Sequence, residues 1–127
     1  MKFGYTIIYV EHVEKTVNFY EKSFGLSRRF IHESGQYAEM ETGATALAFA
    51  SESLAAHSFV PNRLNHSPAG AEVAFVVDDV TTAYEHAIKS GATKVMEPTA
   101  KPWGQIVSYV RDNNGFLVEL CSEVKAS

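Results

Sequence analysis

Apolar positions along this chain follow two periods in turn, and the pair of periods occurs twice. Tyr5 to Val10 (Tyr-Thr-Ile-Ile-Tyr-Val) is β-branched and aromatic, the composition of a strand. From Val13 the spacing lengthens: Val13, Val17, Tyr20 and Phe24 share one helical face, and Gly25 stands where that helix would stop. Downstream, Glu72 to Val77 again reads as a strand. Asp79 is a good N-cap, and Val80, Ala83, Tyr84, Ala87 and Ile88 form an apolar helical stripe before Gly91. Val10 and Val13 match Val77 and Val80, and Lys22-Ser23 match Lys89-Ser90, all at an offset of 67 residues. The chain contains an internal duplication.

The later parts of the halves match more loosely. Strand-like Ile106 to Arg111 and Phe116 to Cys121 flank Asp112-Asn113-Asn114-Gly115, a hairpin signal because Asn-Gly tolerates positive φ. Tyr37 to Glu41 and Ala46 to Ala50 flank Thr42-Gly43 in the same way, and Arg28 to His32 and Thr93 to Met96 supply the remaining strands. Each half reads strand, helix, three strands. The expected class is α+β: two tandem βαβββ modules, residues 1–52 and 71–124, in a single 127-residue domain. The linker, residues 53–70, holds two prolines and a short helical turn at Ser53 to His57.

Alternation separates two sheet faces. Ile8, Val10, Leu47, Phe49, Val73, Phe75, Val77, Val118 and Leu120 are large and apolar, and are assigned to the face that the helices cover. The opposite face carries Tyr5, Ile7, Tyr9, Ala46, Ala48, Ala50, Glu72, Ala74, Val76, Leu117, Glu119 and Cys121. Alanines, tyrosines and two carboxylates suit a ligand hollow. They suit equally a face covered by a partner subunit, with the carboxylates at its wet rim.

Composition narrows the partners. Hydrophobic residues are 46% and charged residues 20%, enough for a real core. A net charge of -4 argues against non-specific binding to nucleic acid or an anionic membrane. The single cysteine, Cys121, rules out an intrachain disulfide and is expected to act as a small buried hydrophobe. Met1 to Tyr5 runs straight into strand-like sequence, so neither a cleaved leader nor a membrane span is expected, and a reducing cytoplasm is the default. No Ser-His-Asp spacing, phosphate-binding glycine loop or Cys-x-x-Cys pair is present to support a hydrolase, nucleotide-binding or zinc-ribbon reading.

The paired modules, Val77-Asp78-Asp79-Val80, Pro102-Trp103-Gly104-Gln105 and the Arg-Asp-x-x-Gly-x-x-x-Glu-Leu run from Arg111 to Leu120 together resemble the vicinal oxygen chelate superfamily. That is the fold of glyoxalase I, bleomycin-resistance proteins and ring-cleaving dioxygenases. The resemblance implies a cupped sheet with helices outside, a homodimer, and four ligand positions on the first and last strands of the modules. Those positions fall on Tyr5, Ala48, Glu72 and Glu119. Glu119 is kept, Glu72 stands where histidine is common, and Tyr5 and Ala48 are not usual ligands. A catalytic metal centre generally wants about three imidazole or carboxylate donors. Among the histidines, His12, His57, His66 and His86 fall on surface elements, and only His32 lies near a strand end that looks inward.

Without a standard metal, Glu72 and Glu119 suit a proton-sharing pair, a hard divalent cation completed by water, or recognition of a cationic ligand. Trp103, Tyr9 and Tyr109 offer flat stacking surfaces. The structural reading keeps Glu119 as the partner of a nearby basic residue and Glu72 as simply exposed. Two functions follow. The favoured one is a small-molecule binder of the bleomycin-resistance type, using Tyr5, Tyr9, Ala48, Glu72, Trp103, Tyr109 and Glu119 and no cofactor, with neither nucleic acid nor membrane as partner. The alternative is a lyase, isomerase or dioxygenase with a divalent metal on Glu72 and Glu119. Fold alone does not choose between them.

Overall fold

The computed structural model describes residues 1–124. The element order is β1 (Tyr5–Val10), α1 (Val13–Phe24), β2 (Arg28–Ile31), β3 (Tyr37–Met40), β4 (Ala46–Ser51), then β5 (Glu72–Val76), α2 (Val80–Lys89), β6 (Thr93–Ala100), β7 (Ile106–Arg111) and β8 (Leu117–Cys121). Contacts divide the chain into two compact units, Met1–Asn62 and the part from Arg63 onward. Each is a βαβββ module. The first holds a sheet of order β1-β4-β3-β2 and the second a sheet of order β5-β8-β7-β6, each with one parallel pair (β1/β4, β5/β8) and antiparallel neighbours elsewhere. The class is α+β, with the two-module arrangement expected from the duplication.

In the first module, α1 packs on β2, β3 and β4. Tyr20 meets Phe49 with ring centroids 4.7 Å apart, which places the Leu47/Phe49 parity of β4 against the helix. Val10, Val17 and Phe49 are fully buried there. Gly25 ends α1 in the left-handed conformation, φ 68°, where its N–H reaches the Glu21 carbonyl. In the second module, α2 packs on β6, β7 and β8 over Val110, Val118 and Leu120. Asp79 caps it, accepting from the Thr82 N–H at 3.0 Å. No helix among the described residues is long and apolar enough to cross a membrane.

Two stretches differ from the expected pattern. The strand expected at residues 93–96 runs on to Ala100, through Pro98. It is an edge strand, so a proline costs no ladder bond, and register shifts at Lys94/Met96 and Met96/Thr99 absorb the misfit. The helical turn expected at Ser53 to His57 is a single 3-10 turn at Glu52–Leu54, capped by the Ser51 hydroxyl.

The Arg111-Asp112-x-x-Gly115 run proves to be an anchor for the linker. The Arg111 guanidinium donates to the carbonyls of Arg63, Leu64, His66 and Gly115 at 2.7 to 2.9 Å. Asp112 is buried and its Oδ1 accepts from the N–H groups of Asn114 and Phe116, closing the hairpin. Gly115 has φ 95°, and a Cβ there would stand 2.5 Å from the Arg63 carbonyl oxygen, so only glycine fits.

Candidate functional site

The strand registers bring three of the sequence-selected residues together on one face of the second module. Ala74 pairs with Glu119 across β5/β8, and Tyr109 with Glu119 across β7/β8. Residues directly opposite in a sheet share a face, and Glu72, two residues before Ala74, joins them. The Tyr109 hydroxyl donates to Glu119 Oε1 at 2.5 Å. Glu72 and Glu119 are diagonal neighbours across β5/β8, and the pKa of Glu72 is raised by lost hydration and by the Glu119 charge. The Tyr109 phenol is pushed up as well, first by its bond to Glu119 and then by burial.

No lysine or arginine among the described residues forms an ion pair with Glu72 or Glu119. The partner that Glu119 has among the described residues is the Tyr109 hydroxyl, not a basic side chain. Cys121, the next residue of β8 on this face, is buried, and burial pushes its thiol up to about 11, which makes it inert as a nucleophile.

Trp103 lies elsewhere in the same module. It is 59% exposed, and its indole N–H donates to Gln105 Oε1 at 2.9 Å, which orients the ring. It lines a cavity of about 470 Å³ with Val76, Asp78, Gly104, Ile106 and Glu123. Gln105 in turn donates to the Ser122 carbonyl, beside Cys121 and so next to the Glu119 face.

The first module holds Tyr5, Tyr9 and Ala48. Tyr5, Ile7 and Tyr9 pair with Ala46, Ala48 and Ala50 across β1/β4. Tyr5 is exposed. Tyr9 is occupied: it stacks on Phe59 at 5.1 Å, with His57 edge-on at 5.9 Å. Ala48 is 0% exposed and offers a ligand no surface. Its small side chain makes room for a residue that sequence reasoning missed, Glu39, directly opposite on β3.

Glu39 is only 8% exposed. It accepts from the Tyr37 hydroxyl at 2.8 Å and pairs with Arg29 at 3.2 Å. The Tyr37 phenol is pushed up to about 12, by burial first and the Glu39 bond second. The β2/β3 register shifts between Arg28 and Phe30, and the two arginines there serve different partners. Arg28 goes to Glu21 on α1, and Arg29 to Glu39 and Glu41. The alternation Tyr37-x-Glu39-x-Glu41 carried the signal for Glu39. Each module thus has a tyrosine bonded to a carboxylate at the middle of its sheet. In the first the charge is balanced by Arg29; in the second no ion pair among the described residues balances it.

The strands, their registers and the duplicated order match one known family. A model of the Glyoxalase/Bleomycin resistance protein/Dioxygenase superfamily covers residues 2–120. The chain belongs to that superfamily. Solved structures of this fold include a glyoxalase/bleomycin resistance protein/dioxygenase family enzyme from Burkholderia phytofirmans PsJN, 20% identical, with a TM-score of 0.80 over 96% of this chain and 98% of that one. A glyoxalase-related enzyme from Fulvimarina pelagi is 19% identical, with a TM-score of 0.78 over 97% and 88%. TioX from Micromonospora sp. ML1 is 19% identical, with a TM-score of 0.74 over 96% and 98%. No curated protein matches the sequence.

Metal-using members of the glyoxalase superfamily set a test for the donors here. Among the described residues no three His, Cys, Asp or Glu side chains come together as a metal site. Glu72 and Glu119 supply two carboxylates, one already engaged by Tyr109. His32 is tied into a turn, with Nδ1 2.8 Å from the Ser34 hydroxyl. The residues present do not fit a three-ligand centre.

Proposed function

We propose that the protein is a small-molecule binder of the glyoxalase/bleomycin resistance type, taking a cationic compound with a flat aromatic part on the acidic sheet face of the second module. Glu72 and Glu119 are its counter-charges, Tyr109 holds Glu119 in place, and Trp103 is the stacking surface at the neighbouring cavity. The observation that carries this reading is the carboxyl pair, diagonal neighbours across β5/β8, with no lysine or arginine ion-paired to it among the described residues. Lost hydration and the Glu119 charge both disfavour the ionised form of Glu72. An arriving ammonium or guanidinium relieves that cost and gains two charge-assisted contacts. A metal is not required for this.

Isothermal titration with metal-free bleomycin and with benzyltrimethylammonium tests the proposal. The expected result is saturable binding that weakens with added salt and falls about tenfold or more in Glu119→Gln and in Glu72→Gln. Binding that ignores both substitutions, or no binding of either probe, sinks it. So does elemental analysis showing near-stoichiometric metal that disappears in Glu119→Gln, which would assign the site to metal chemistry.

We also propose a homodimer. Phe3, Tyr5 and Ile7 lie exposed along and just before the edge strand β1, more apolar surface than a free edge usually carries. Light scattering behind size exclusion is expected to give twice the chain mass at micromolar concentration. A clean monomer peak would refute it.

A further inference from the structure

A second hollow opens on the other side of the second module, between α2 and β6, and Glu72, Glu119, Tyr109 and Trp103 are not among the residues that line it. Its volume is about 600 Å³, within the range of small-molecule sites. The duplication shows how it arose. In the first module the equivalent gap is clipped shut: Arg28, from β2, donates to Asn18 at 2.9 Å and to both carboxylate oxygens of Glu21 at 3.0 Å on α1. At the 67-residue offset, Asn18 becomes Glu85 and Glu21 becomes Ile88. Both line the hollow, and no clip spans it. The bulged edge strand opposite bears Lys94, Glu97 and Pro98.

Tyr84, which stands where the first module has Val17, also lines this hollow. It is 6% exposed, and its buried hydroxyl meets no hydrogen-bonding partner among the described residues. Such hydroxyls are seldom left so. Burial raises the pKa of that phenol, and the Glu97 charge adds to the rise. Glu85, Glu97, Lys89 and Lys94 form no ion pairs among the described residues, so both signs of charge stand ready around an apolar floor.

We propose that the α2/β6 hollow is a second ligand site, specific for a small zwitterion with an apolar body, of the free amino-acid class. The ligand ammonium sits between Glu97 and the Tyr84 oxygen, its carboxylate faces Lys89 and Lys94, and its side chain covers Ile88 and Pro98. Balanced charges exclude simple anions and cations, which would each meet two like charges.

The test is a ¹⁵N-labelled NMR titration of the full chain with L-leucine and L-phenylalanine. N-acetyl-L-leucine and L-leucinamide, each lacking one charge, serve as comparisons. The expected result is saturable shifts confined to α2 and β6, at least about tenfold weaker with either comparison compound. Tyr84→Phe removes only a hydroxyl with no hydrogen-bonding partner among the described residues, so the variant should fold as well as wild type while binding leucine several-fold less tightly. Ile88→Glu, which puts the first module's charge back into the floor, should abolish binding. No shifts at saturating amino acid, equal affinity for leucinamide, or unchanged affinity in Tyr84→Phe would each overturn the proposal.

Discussion

Glu72 holds its proton more tightly in the folded chain than an unfolded carboxyl does, because lost hydration and the Glu119 charge both disfavour its ionised form. Its contribution to stability is therefore present below the ordinary carboxylate pKa and is lost as pH rises through the raised value. Glu72→Gln cannot ionise and should escape that loss. Urea unfolding between about pH 4 and pH 7 is expected to show the variant gaining on wild type as pH rises; parallel curves would mean that the two carboxyls do not interact. Glu41 has the opposite sign. The Arg29 guanidinium lowers its pKa, so its contribution is present above the ordinary carboxylate value and lost as pH falls. Glu41→Gln should cost little, since the pair is exposed, and only at neutral pH. Both carboxylates were visible in the sequence. Their opposite responses were not, because each depends on which strand lies beside it.

At the scale of the elements, the two helices start differently although they descend from one pattern. Asp79 caps α2 through its side chain, whereas His12 makes no side-chain cap to α1. Asp79→Ala should cost about 1 kcal/mol and His12→Ala within about 0.5 kcal/mol, measured by denaturant midpoint at constant m. Equal costs would show that the cap does not hold α2. The β7/β8 hairpin is more demanding. Gly115→Ala forces a side chain into positive φ and against the Arg63 carbonyl, so a loss of about 2 kcal/mol or more is expected in the same assay. The hairpin was legible from Asn-Gly, but the close approach of residue 63 was not. That contact joins residues far apart in sequence, and no local pattern encodes it.

For the whole molecule, Arg111 ties the linker to the second module through the carbonyls of three linker residues. Arg111→Ala removes the guanidinium from those three carbonyls, leaving the His66 N–H on the Arg63 carbonyl, and should loosen the segment. The Arg63–Leu64 bond is expected to become sensitive to trypsin in the variant while remaining resistant in wild type, as read by mass spectrometry of a timed digest. Resistance in both would show that the linker is held by other contacts.

Periodicity and the 67-residue repeat determined the two-module α+β plan, the helix limits at Gly25 and Asp79, and the membership of each sheet face, because those depend on neighbours within a few residues. The repeat also located Glu72 and Glu119. What only the tertiary structure decided is which charges are balanced. Arg29 neutralises Glu39 because a register shift carries it to β3, while among the described residues no basic side chain pairs with Glu119. The clip of Arg28 onto α1 and the open hollow over Tyr84 likewise diverge through side chains meeting across separate elements. A charge acts through space, and distance through space is what a one-dimensional pattern leaves out.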